Sequence, residues 1–127
     1  ATHSNAHALA PTPRNLTDAQ LDVLALSGGV VGLNYHVGFL TADGKSSPDT
    51  SMREIAKHAR YIVDRIGVRH VALGSDFDGA TVPSDLGDVS GLPTLLDALR
   101  EVGFSEEELS AIACRNWMRV LKETWHS

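Results

Sequence analysis

The sequence predicts an α/β fold in which parallel strands alternate with helices, as in the C-terminal part of a (β/α)8 TIM-type barrel. Three observations carry this. Short, unbroken apolar runs at residues 30–35 and 71–74 suit strands buried on both faces of a parallel sheet. Between them lie stretches of helical period, opened by capping signals and closed by glycine. Polar residues stand just past the strand ends (His3, then Tyr35 and His36, then Asp76), where barrels of this kind carry their chemistry.

The elements follow in order. Thr17-Asp18-Ala19-Gln20 reads as a capping box, and the helix it opens stops at Ser27-Gly28-Gly29. Residues 30–35 form the first strand, and a polar loop rich in Gly, Ser, Asp and Pro runs from His36 to Thr50. Ser51 with Glu54 reads as a second capping box. The helix behind it carries Met52, Ile55, Ala56, Ala59, Ile62, Val63 and Ile66 as one apolar stripe, with Gly67 as its stop. Residues 71–74 form the second strand, which runs directly into Ser75-Asp76-Phe77-Asp78-Gly79. After a loop with Pro83, Gly87 and Gly91, a leucine-rich helix begins at Pro93. Ser105 with Glu108 opens the last helix, striped by Leu109, Ile112, Ala113, Trp117, Val120 and Leu121. A third strand is expected to end at Ala1-Thr2-His3. So few parallel strands leave open edges, so residues 1–127 are expected to be a piece of a larger α/β fold, with a (β/α)8 barrel as its leading parent. The lack of an initiator Met and of a charged leader agrees with a chain that begins inside a fold.

Composition narrows the function. Among 127 residues, 43% are hydrophobic and 21% charged, which fits a globular chain. The net charge of −5, with no Lys/Arg cluster, argues against nucleic-acid binding. The apolar stretch at residues 28–33 falls far short of the roughly 20 residues of a membrane helix. Cys114 is the only cysteine, so disulfides and cysteine-based zinc sites within the chain are excluded, and its apolar helical setting predicts a buried thiol. Nothing in the residues selects a cellular compartment.

Asp76 is the strongest local signal: a carboxylate beside small residues at a strand end can bind a metal or accept a proton from water. An Asx-type turn explains it equally well, and is the better reading of Asp78. His3 at a presumed strand end is either a ligand or a bystander. His7 lacks the accompanying residues of a helical zinc pair. His36 divides between pocket and loop. His58 is expected on the polar side of its helix, His70 at the opposite end of the sheet, and His126 in a tail. Arg14 is a surface arginine or a fork for a carboxylate. Nucleophile-elbow, phosphate-loop and Cys-His patterns are absent.

Together, Thr2-His3-Ser4-Asn5, Pro13-Arg14-Asn15-Leu16-Thr17-Asp18, Gly29-Val30-Val31-Gly32-Leu33-Asn34, Gly74-Ser75-Asp76-Phe77-Asp78-Gly79 and Asp88-Val89-Ser90 form an ordered series. It resembles the renal (membrane) dipeptidase family of zinc-dependent metallodipeptidases over nearly the whole chain. The resemblance implies a (β/α)8 barrel with a binuclear zinc site that hydrolyses dipeptides by metal-activated water. It further implies His3 as a zinc ligand, Arg14 as the partner of the substrate's terminal carboxylate, and Asp76 as the residue that handles the proton. Tyr35, His36 and Phe39 would line the substrate pocket.

The family's His-x-Asp pair, bridging glutamate and other histidine ligand have no counterpart here and would precede His3. The segment alone is therefore expected to be inactive. Cys114-Arg115-Asn116 stands where relatives often have Gly-Gly-Asn. The resemblance allows a homodimer, with no interface marked in the residues. Another barrel amidohydrolase, a degenerate binding barrel and a non-catalytic fragment remain alternatives.

Overall fold

The computed structural model describes residues 1–125 apart from Lys45, Ser46 and Pro48. The tail position expected for His126 lies outside the described residues. The core is a βαβ unit: β1 (Val31–Asn34) and β2 (Val71–Ser75) pair in parallel, with α2 (Arg53–Ile66) in the crossover. α1 (Asp18–Leu26) precedes β1, and α3 (Leu92–Glu101), α4 (Glu106–Ser110) and α5 (Asn116–Trp125) follow β2. The α/β alternation is as expected. No described helix is long and apolar enough to cross a membrane.

Every residue of β1 is buried, as a strand covered on both faces should be. Beside it, the third strand expected to end at His3 is not formed: residues 1–4 bend at His3 and meet Gly32 without a regular ladder. Gly32 N–H donates to Ala1 O at 2.7 Å and Ser4 N–H to Gly32 O at 2.9 Å, a spacing with one residue too many for regular pairing. The Thr2 carbonyl lies so close over Gly32 and Gly74 that a side chain at either would collide with it.

The helix signals are borne out where their partners are local. Thr17 with Gln20 and Ser105 with Glu108 both form complete capping boxes. At α2 the expected box is absent. The Met52 N–H is capped from a distant loop by Asp85, at 3.1 and 3.2 Å, and Ser51 Oγ donates to the same carboxylate. The α2 stripe is correct: Ile55, Ala56, Ala59 and Ile62 are fully buried. Truncating one of its isoleucines to Ala would cost about 2–5 kcal/mol.

Two expectations are corrected. His58 is fully buried, because it lies three residues after Ile55 and four before Ile62, on the stripe itself. Cys114 is exposed, because residues 111–115 form a π-helical turn whose extra residue rotates it outward while Ile112 and Asn116 face the core.

Candidate active site

The site gathers where the strands end. β1 and β2 stay in register from Val31–Val71 to Leu33–Leu73, and then Asn34 pairs with Ser75 across an irregularity. Beyond it, Ser75 and Asp76 adopt φ of 60° and 90°, the left-handed region that non-glycine residues seldom enter. The turn is closed by Gly79 N–H donating to Asp76 O at 3.2 Å. A side chain at Gly79 would run into Asp76 Oδ1. This turn presents the Asp76 carboxylate, partly exposed, beside the segment at residues 1–4.

An open cleft of about 500 Å³ results, lined by Ala1, Thr2, His3, Ser4, Arg14 and Asp76. Three of the residues singled out from the sequence thus meet on one surface. His3 is exposed, and its Nδ1 lies 2.8 Å from Thr2 Oγ1, so Nε2 is the ring nitrogen still available. The Arg14 guanidinium stands over the Phe39 ring, 5.4 Å from its centre, with no carboxylate partner among the described residues. Phe39 in turn meets His36 edge to face at 4.6 Å. His36 Nδ1 carries a proton, since at 3.1 Å it faces the Thr81 carbonyl, which only accepts. Phe39 and His36 therefore stand behind Arg14 rather than on the cleft wall.

Tyr35 lies elsewhere. It is fully buried, edge-on to Phe77 at 5.4 Å, with its hydroxyl unpartnered among the described residues. Burial pushes its phenol well above the ordinary range.

Beneath the cleft runs a set of buried asparagines that the candidate residues alone do not reveal. Asn15 Oδ1 accepts from Asn5 N–H at 3.1 Å, and Asn15 Nδ2 donates to Ala10 O and Phe39 O, each at 3.0 Å. The Asn5 side chain grips the backbone of Asn34 twice, Oδ1 accepting its N–H at 3.1 Å and Nδ2 donating to its carbonyl at 2.9 Å. Asn34 Nδ2 then donates to Asp76 Oδ2 at 3.3 Å. The sequence signal was adjacency: each asparagine sits in the same short motif as a candidate residue or at a strand end. His58 props the same segment. Its Nδ1 accepts from Ala6 N–H at 3.1 Å and its Nε2–H donates to Leu40 O at 2.9 Å. Burial lowers its pKa, against smaller upward effects from the Leu40 carbonyl and Glu54.

As a metal centre these residues fall short. No three His, Cys, Asp or Glu side chains come together among the described residues, whereas zinc takes at least three protein ligands. On this cleft His3 and Asp76 are two such side chains, one short of that number.

Residues 1–126 match the family model for membrane dipeptidase, peptidase family M19. The chain belongs to that family. An uncharacterized protein in the pqqA 5' region of Klebsiella pneumoniae is 54% identical over 125 residues, covering 98% of this chain and 46% of its own length. Dipeptidase aclJ of Aspergillus oryzae is 36% identical over 126 residues, 98% of this chain and 29% of its own. The chain thus spans less than half the length of these relatives. Among solved structures, a metallo peptidase from Rhodobacter sphaeroides, liganded with a phosphinate mimic of the dipeptide L-Ala-D-Ala, superposes with a TM-score of 0.95. It is 46% identical over 98% of this chain and 36% of its own.

Proposed function

We propose that this chain is the C-terminal portion of a (β/α)8 metallodipeptidase and supplies one wall of its active site. The observation that carries the reading is the convergence of His3, Arg14 and Asp76 on one cleft, with both charged side chains free of other ion pairs among the described residues. Two zinc ions are the cofactor that the family resemblance implies. Of their ligands this reading assigns His3 alone to these residues, with the rest upstream in the complete protein.

The chemistry assigned to this wall follows from its groups. Arg14 offers a planar fork that suits the free carboxylate of a dipeptide, and Phe39 beneath it limits where that fork can swing. Asp76 accepts a proton from the water attacking the scissile carbonyl and returns it to the amine nitrogen as the carbon–nitrogen bond breaks. A clamp on the terminal carboxylate confines cleavage to the last peptide bond of a substrate, which in a dipeptide is its only one. His36 and Phe39 back the Arg14 side of the pocket, whereas Tyr35 packs in the core against Phe77.

The test uses the complete natural protein, with free dipeptides compared with the same dipeptides amidated at the C-terminus. Free dipeptides should be cleaved and amidated ones largely spared. Arg14→Met should raise KM for free dipeptides about 10–100-fold, the worth of a charged hydrogen bond. Equal cleavage of both substrates by the unaltered enzyme would remove the clamp from the mechanism.

A further inference from the structure

Asp76 stands on a turn whose backbone does not by itself hold a carboxylate still. Two successive residues lie in the left-handed region, the strand pairing has just broken register, and the side chain is partly exposed. The only side-chain hydrogen bond described for its carboxylate comes from Asn34 Nδ2. Asn34 is fully buried, and its amide can face only one way. Its Oδ1 takes the His36 N–H at 2.7 Å, and since a backbone N–H only donates, the other end of the amide must be the NH2 directed at Asp76. The Asn34 backbone is clamped on both its N–H and its carbonyl by the Asn5 side chain, which is anchored through its own N–H by Asn15. A buried polar group costs stability unless it is paired, and here each pairing also fixes a direction.

We propose that Asn34 is the positioning residue for Asp76: its amide, oriented by His36 N–H and held by Asn5, fixes the carboxylate oxygen Oδ2 and leaves Oδ1 for the proton. The inference rests on the role assigned to Asp76 above. The same framework links the three parts of the cleft, since Asn5 follows His3 by two residues and Asn15 is next to Arg14. A shift of any one asparagine therefore moves the carboxylate relative to the clamp.

The experiment combines kinetics with a stability cycle in the complete enzyme. Asn34→Ala should lower kcat for a free dipeptide about tenfold or more while KM stays within about twofold, because the clamp remains and only the proton carrier is misaimed. Asn34→Asp, which is isosteric and keeps the acceptor for His36 N–H, sets a second carboxylate against Asp76. It should lower both kcat and the melting temperature. Adding Asp76→Asn to it reverses the donor and acceptor of the pair. The double variant should recover the melting temperature lost in Asn34→Asp and remain inactive. Unchanged kcat in both Asn34 variants, with Asp76→Asn inactive, overturns the positioning role alone. Melting losses that simply add in the double variant overturn it as well, by removing the contact. Full activity in Asp76→Asn overturns the assignment of Asp76 and this inference with it.

Discussion

The two ends of the β1–β2 sheet are built from the same kinds of side chain and use them in opposite ways. At the amino end, Asn116 Nδ2 donates to Val68 O and Val71 O at 2.7 and 2.8 Å. Arg119 donates to Gly28 O and Arg69 O at 2.8 and 2.9 Å, and His70 Nδ1 to Gly29 O at 2.7 Å. All of these acceptors are backbone carbonyls, so the polar groups tie α5 and the strand entries into one body. At the carboxyl end the Asn5 and Asn15 side chains also hold main-chain groups, but Asn34 Nδ2 donates to the Asp76 carboxylate, while His3 and Arg14 are left to face the cleft. The chemical type of a residue therefore does not decide whether it serves stability or function. What decides is whether the bonded set ends on the main chain or leaves side chains directed into the space where parallel strands end.

The sharpest way to break this contrast is Asp76→Asn in the complete enzyme. Turnover should fall about 10²–10⁴-fold, the range for losing a general acid–base group, while the melting temperature changes little. Near-normal turnover would make the carboxyl end as structural as the other. The matching change at the amino end is Asn116→Ala, which leaves two carbonyls without their donor. It should cost about 2–3 kcal/mol in chemical denaturation and leave KM unaltered. An effect on KM with stability intact would reverse the assignment of the two ends.

His58 sharpens the comparison through pH. Burial holds its folded pKa below the ordinary 6.5, so below that pH the unfolded chain takes up a proton that the folded chain refuses. Stability contributed by neutral His58 is therefore present above pH 6.5 and lost as the pH falls beneath it. Melting temperatures measured from pH 7.5 to 5 should decline, and His58→Gln should start lower and decline less. The smallest expected effect is that of Tyr35→Phe. Removing a buried hydroxyl with no described partner should leave KM unchanged and stabilise by up to about 1 kcal/mol. A clear rise in KM would bring Tyr35 into the pocket after all.

What could be read from the sequence was whatever its near neighbours determine. The capping boxes at Thr17 and Ser105 close within one turn, and the apolar stripe of α2 is a property of one helix, so both were legible. The box at Ser51 failed because a carboxylate from residue 85 reaches the helix start first, and no local pattern reports a partner so distant in sequence. His58 was misplaced by its polarity, although its spacing from Ile55 and Ile62 pointed inward. Cys114 was misplaced because a π-helical turn shifts the phase on which the stripe was drawn. At the site, Asp76 was recognisable by its place after a strand end, and His3 and Arg14 through the ordered motifs of the family resemblance. The asparagines that aim them were not, since an amide in a loop motif looks the same whether it caps a turn or holds a carboxylate.

The Thr2 carbonyl lying across Gly32 and Gly74 has a consequence for time as well as space. The surface it rests on exists only once β1 and β2 have paired, and β2 is made long after residue 2 leaves the ribosome. Synthesis runs from the N-terminus at about 5–20 residues per second, so the segment bearing His3 must wait seconds for its seat. His3 is thus among the first of these residues to be made and among the last to be placed.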